Sequence, residues 1–101
     1  MSYQLTLVTP NGKIFEGPID ALRAPGAMGS FGVLGGHAPI VAALKPGVLK
    51  LTQNNQEKFY GIAAGVLEVD QKHNVLILSN AAVDAINEED AFSKVKNVEN
   101  N

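Results

Sequence analysis

Residues Pro25–Val48 read PGAMGSFGVLGGHAPIVAALKPGV. The punctuation of this stretch argues against helix. Glycines stand at Gly26, Gly29, Gly32, Gly35 and Gly36, and glycine loses more conformational freedom in a regular element than any other residue. Pro39 biases Ala38 away from the helical region. What remains is turn chemistry around a short apolar run, Ile40–Leu44, closed by Lys45-Pro46-Gly47. A run of that length between turn signals reads as one buried strand. The stretch therefore reads as a glycine-rich loop from Pro25 to Gly36, interrupted by Phe31, Val33 and Leu34, and then a strand.

The flanks continue in the same style. Tyr3, Leu5 and Leu7 alternate with Gln4 and Thr6, the period of a half-buried strand. Pro10-Asn11-Gly12 is a turn, and Lys13–Glu16 makes a short second strand ended by Gly17-Pro18. Ile19–Ala24 reads as a third strand with Leu22 and Ala24 on one face and Arg23 on the other. Beyond the opening stretch, Leu49 and Leu51 alternate with Lys50 and Thr52, and Asn54-Asn55-Gln56 is a polar hairpin turn. Phe59–Ala63 and Val66–Val69 follow as strands. Asp70–Asn74 turns the chain into Val75–Ser79, a near-continuous apolar strand. Short strands with turn signals this frequent predict an all-β sandwich or barrel over residues 1–85.

After Ile86 the pattern changes. Asn87 is a good N-cap, Glu88, Glu89 and Asp90 put negative charge on a first turn, and Ala91, Phe92, Val95 and Val98 recur at helical spacing. Asp84 is read with these acids as helix-start charge. Residues 86–101 thus predict one short helix of about three turns with a frayed tail. A helix so short needs Phe92 or Val95 packed against the body to persist.

A chain of 101 residues fits one domain. Its net charge of −2, its scattered lysines and its single arginine, Arg23, leave no electrostatic footprint for nucleic acid. The absence of cysteine favours a reducing compartment. The first residues, Met1–Thr9, lack the charged and apolar regions of a signal peptide. No apolar run approaches the roughly 20 residues that span a bilayer. Direct membrane insertion is not expected, and any membrane association would run through a partner.

Few residues offer chemistry. His37, inside Gly-His-Ala-Pro, could serve a hydrolase only with a nucleophile and an orienting acid. Ser30 and Asp20 exist, but no Gly-x-Ser-x-Gly elbow does. A polar histidine at a loop–strand junction or an interface is the simpler reading. His37 and His73 are the only histidines, too few for a zinc site without thiolates, and His73 reads as a solvated turn residue. The glycines do not form a phosphate cradle, because no helix and no Lys-Ser or Lys-Thr follows them. Glu68, between Leu67 and Val69, reads as a polar strand position facing solvent or a partner. No catalytic residue, cofactor or metal is expected.

Four blocks carry a resemblance: Phe31-Gly32-Val33-Leu34, His37-Ala38-Pro39, Leu44-Lys45-Pro46-Gly47, and Ala64-Gly65-Val66-Leu67-Glu68-Val69. In order and spacing they resemble the ε subunit of F-type ATP synthases, over about Tyr3–Asp84. The resemblance implies a flattened β-sandwich of about ten strands followed by a helical hairpin, at the foot of the central stalk. It implies a non-catalytic rotor subunit that binds γ, touches the c-ring and reaches the catalytic head only through γ. Ion-driven rotation would be coupled through it to ATP synthesis, on the cytoplasmic side of a bacterial cell membrane. By the same likeness Met28, Gly29, Ser30, Phe31 and Gly32 would approach the c-ring, and Thr9, His37 and Ala42 would lie toward γ.

The chain departs from the family in places. Some relatives carry an acid where Ser30 stands. Ala64 replaces the first glycine of a Gly-Gly-x-Leu-Glu-Val strand. Ile86–Asn101 covers only part of the hairpin, and about a dozen helical residues span about 18 Å. Coupling without hairpin-type inhibition of hydrolysis is therefore expected. Ile19-Asp20-Ala21-Leu22-Arg23-Ala24 matches a nucleotide-binding pattern that relatives carry on their C-terminal helices. In a strand Asp20 and Arg23 point to opposite faces, so the match reads as coincidence. Two alternatives stand beside the rotor reading: a small hydrolase using His37, and a stand-alone ligand-binding sandwich.

Overall fold

The computed structural model describes residues 2–99. The strands run β1 (Tyr3–Thr9), β2 (Gly12–Ile19), β3 (Ala21–Gly26), β4 (Gly29–Leu34), β5 (Ile40–Leu44), β6 (Gly47–Gln53), β7 (Gln56–Ile62), β8 (Gly65–Val69), β9 (Val75–Ser79) and β10 (Ala82–Ala85), followed by α1 (Glu88–Glu99). They form one hydrogen-bonded sheet in the order β10-β7-β6-β3-β5-β8-β9-β1-β2, with β4 on the remaining edge of β3. The sheet folds over on itself, so that one face of each half meets a common core. All pairings are antiparallel except β1 with β9.

The core follows from strand alternation. Tyr3, Leu5 and Leu7 of β1, Leu67 and Val69 of β8, and Val75 and Ile77 of β9 point inward from one half. Leu22 and Ala24 of β3, Val33 of β4, Leu49 and Leu51 of β6, and Tyr60 and Ile62 of β7 meet them from the other. The Tyr3 hydroxyl spans the layers and donates to the Val33 carbonyl at 2.5 Å. No buried side-chain nitrogen or oxygen among the described residues lacks a partner.

Three expectations need correction. Pro25–Gly36 is not a loop: most of it is the β3–β4 hairpin, paired rung by rung from Ala21–Leu34 to Gly26–Gly29, with Ala27 and Met28 as its turn. Gly26 is there because of a close approach. A Cβ on it would stand 2.6 Å from the Gly29 carbonyl oxygen and 2.8 Å from the Phe31 ring. Gly17-Pro18 does not end β2 either. The strand continues to Ile19 because it lies at the sheet edge, where a residue without an N–H is tolerated. Asp84 lies in β10 opposite Tyr60 rather than at the helix start.

The turn at Asn54-Asn55 is as expected, with φ of 51° and 64°, the left-handed pair of a two-residue hairpin. Helix α1 starts where the sequence placed it. The Asn87 side chain accepts from the Asp90 N–H at 2.8 Å. Ala91, Val95 and Val98 form one buried stripe, while Phe92 points outward and is 71% exposed. Val95, not Phe92, therefore anchors the helix, because it shares the 3.6-residue stripe with Ala91 and Val98. The expected frayed tail at Asn100 and Asn101 lies outside the described residues.

Candidate functional site

The outer face of β5, β8, β9 and β1 carries apolar side chains where alternation would ordinarily put polar ones. Register assembles them into rungs. Ala43 stands opposite Val66, Val66 opposite Leu78, and Leu78 beside Val8. The next rung runs Val41, Glu68, Leu76, Thr6. Val41 is 73% exposed, Leu78 48% and Val66 41%. The result is a continuous apolar patch with a single acid, Glu68, within it. A patch of this kind on a sheet face marks a contact surface rather than ordinary solvent-facing protein.

The expected γ-side residues lie around this face rather than on it. Thr9 is buried, and its hydroxyl accepts from the Asn11 N–H at 3.2 Å and donates to the Gly12 carbonyl at 3.4 Å. Ala42 pairs with fully buried Leu67, and so faces inward between exposed Val41 and Ala43. His37 is half-buried in the segment between β4 and β5. Its Nδ1 lies 2.7 Å from the Ala38 carbonyl, and its own carbonyl lies 3.0 Å from His73 Nδ1. A carbonyl only accepts, so both histidines carry a proton on Nδ1. This bond ties the β4–β5 segment to the β8–β9 turn, where His73 has φ of 67°.

The expected ring-side residues form the tip and one strand of the β3–β4 hairpin. Met28 is fully exposed at the turn. Gly29 follows with φ of 132°, and exposed Ser30 accepts from Arg23 Nη1 at 3.3 Å. Phe31 turns back and packs against the core, while Gly32 is exposed opposite Arg23. Met28 is thus the one large side chain that this tip offers to a partner.

Among the described residues, Ser30 and Asp20 are engaged away from His37. Ser30 bonds Arg23, and Asp20 Oδ2 accepts from the Asn54 N–H at 3.0 Å. Neither bonds His37. Asp20 and Arg23 of the nucleotide-like pattern do not share the expected strand Ile19–Ala24: Ile19 ends β2, Asp20 lies in the bend after it and meets Asn54, and Arg23 lies in β3 and meets Ser30. Among the described residues no group of three or more His, Cys, Asp or Glu side chains could hold a metal ion, and no helix is long and apolar enough to cross a membrane. The sequence reading did not single out Val8, Val41, Ala43, Val66 and Leu78. Their signal is the near-continuous apolarity of Val75–Ser79, since a strand apolar on both sides is built to be covered on both.

Residues 2–85 match the family described as ATP synthase, Delta/Epsilon chain, beta-sandwich domain. The ATP synthase epsilon chain of Rhodopseudomonas palustris strain BisB5 is 37% identical over 81 residues, which is 80% of this chain and 59% of the relative. That of strain TIE-1 is 37% identical over 84 residues, or 83% of this chain and 62% of the relative. The chain therefore spans about three-fifths of the length of these curated relatives. Among solved structures, a chain of the Euglena gracilis mitochondrial ATP synthase (OSCP/F1/c-ring) superposes with a TM-score of 0.79 at 29% identity, covering 87% of this chain and 57% of that one. A chain from the central stalk/c-ring of the Tetrahymena thermophila mitochondrial ATP synthase gives 0.72 at 18% identity, covering 83% and 67%, a likeness of fold alone.

Proposed function

Since this chain belongs to the ATP synthase delta/epsilon family, we propose that it is an epsilon-type subunit of the central stalk, a non-catalytic rotor part. Its partners are γ and the c-ring, with the catalytic head engaged only through γ. The complex sits on the cytoplasmic side of a bacterial cell membrane, to which this chain is peripheral. The observation that carries the reading is the apolar outer face of β5, β8, β9 and β1, on whose strands Thr9 and Ala42 lie.

The mechanism is mechanical. Torque passes through a body only if the body does not shear, and a sandwich with a close-packed core deforms little. The γ subunit covers Val8, Val41, Ala43, Val66 and Leu78, with Thr9, His37 and Ala42 beside or beneath the contact. Met28 and its neighbours through Gly32 reach the polar loops of the c-ring. A stable contact of this type buries about 1,600 Å² in total, and its apolar centre contributes most of the affinity while the rim sets register. Turning the ring then turns this chain and γ together.

The test is a mild affinity capture of the tagged chain from detergent-solubilised source membranes, with peptide identification and an ATPase assay on the eluate. Recovery of γ, head subunits and ring protein with ATPase activity is expected. A chain that emerges alone, under conditions that keep a control synthase whole, would overturn the reading.

A further inference from the structure

A second surface lies on the other half of the sandwich, where β3, β4, the β5–β6 turn, β6 and the start of α1 border an open cavity of about 220 Å³. Arg23, Lys45 and Lys50 line it, with Ser30, Pro25, Val48 and Glu88 completing the wall. Arg23 and Lys50 are direct cross-strand partners on the β3–β6 ladder, and like charges placed so are destabilising. Lys50 is partly relieved by Glu57 at 3.3 Å, and Arg23 has only the Ser30 hydroxyl. Glu88 is the single acid lining the cavity. Three cations from three places in the chain thus line one concavity, with Glu88 on its wall and Glu57 paired to Lys50.

We infer that this cavity binds a compact phosphate dianion, either free phosphate or the head of a small phosphate monoester. A phosphate group carries about −1.5 to −2 charge at pH 7, which draws it to Arg23 and Lys45, whose charges no carboxylate among the described residues pairs at this wall, and to Lys50 in competition with Glu57. The planar guanidinium of Arg23 suits two phosphate oxygens at once, and the lysines add point charges. Pro25 and Val48 give the cavity an apolar wall, against which the carbon part of a monoester would rest. Binding removes the Arg23–Lys50 repulsion and draws on the first turn of α1, where Glu88 competes with the ligand. This site is separate from the apolar face, and its test uses the isolated chain, so its failure leaves the rotor reading standing.

The experiment is a titration of the full ¹⁵N-labelled chain, followed by amide chemical shifts, at constant ionic strength set with sodium chloride. Inorganic phosphate and glycerol phosphate are the two probes. Saturable shifts confined to Arg23, Ser30, Lys45, Val48, Lys50 and Glu88 are expected. Arg23→Gln and Lys45→Gln each weaken binding about tenfold, the scale of one lost charge-assisted bond, and Glu88→Gln tightens it severalfold. Tighter binding of glycerol phosphate identifies a monoester as the ligand, and equal binding identifies phosphate itself. Shifts that rise linearly with concentration and spread over Lys13, Lys58 and Lys72 would overturn the proposal. So would an unchanged affinity in the Arg23→Gln, Lys45→Gln double variant, whose exposed positions leave the fold intact.

Discussion

Gly61 of β7 lies directly beneath Ala91 of α1: a Cβ on Gly61 would stand 2.8 Å from the Ala91 carbonyl oxygen and 3.3 Å from the Val95 nitrogen. Both obstacles are backbone, so no side-chain rotation relieves them. The absent side chain at Gly61 sets how closely the helix can seat on the sheet. Gly61→Val is therefore expected to lift α1 while leaving the strands paired. Overpacking of this kind costs about 1–3 kcal/mol. Hydrogen exchange should show lost protection at residues 91–98 with protection in β1 and β9 retained.

The Tyr3–Val33 hydrogen bond gives a pH-dependent prediction. Burial, with a smaller push from the Asp20 charge, holds the Tyr3 phenol well above its ordinary value of 10.0. The fold therefore favours the neutral phenol. Its contribution is whole below about pH 10 and is lost as pH rises through the unfolded value toward the higher folded one. Tyr3→Phe should cost about 1–3 kcal/mol at pH 7, and its stability should fall less steeply than that of the wild type in urea melts from pH 9 to 11. Tyr60, raised by its own burial, keeps part of the slope in both.

Acid acts on the helix start. Asp90 accepts from the Ile86 N–H at 3.0 Å and pairs with Lys94 Nζ at 3.0 Å, and these bonds, the backbone one first, hold its carboxyl below its usual 3.8. A depressed acid stabilises above its unfolded value and loses that contribution as pH falls through the folded one. Far-ultraviolet circular dichroism from pH 6 to 2 should show α1 loosening below about pH 4, with Asp90→Asn flattening the transition. Asn87→Ala removes the cap itself and should cost about 1 kcal/mol at neutral pH.

The apolar rung across β8 and β9 separates assembly from folding. Leu78→Glu and Val41→Glu place charge on side chains that are already exposed, so stability should move by no more than about 0.5 kcal/mol. Capture of γ should drop at least about tenfold, as expected for a charge set in an apolar contact. Thr6→Glu, at the end of the neighbouring rung, should weaken capture less. Equal recovery of γ by all three variants would remove this face from the interface.

How much was legible depended on what a residue's neighbours could say about it. Alternation at Tyr3, Leu5 and Leu7 identified β1, and the Asn54-Asn55 turn identified its hairpin, because both signals are local. The β3–β4 hairpin was misread because one of its glycines answers to atoms across the ladder. Gly26 is small for the Phe31 ring and the Gly29 carbonyl, not to turn the chain. β10 carries no pattern of its own and exists because β7 offers Ala82–Ala85 an edge. The contact face needed register: Val66 and Leu78 are apolar in any reading, but only the β8–β9 ladder puts them side by side. Thr9 and Ala42, expected by likeness to lie toward γ, sit on strands of the apolar face, with strand parity turning Ala42 away from it.

The parallel pairing of β1 with β9 sets a timetable for the chain's first minute. Leu5 takes its place beside Val75, so the ribosome must make everything from β1 to β9 before the central seam can close. At about 5–20 residues per second that interval is about 4–14 s, long compared with the microseconds in which a β-hairpin forms. During it the β1–β2 hairpin can form but has no core to cover Leu5 and Leu7. A nascent chain of this topology thus leaves β1 exposed until β9 is made, and slowing translation between β2 and β9 should raise its demand for chaperones.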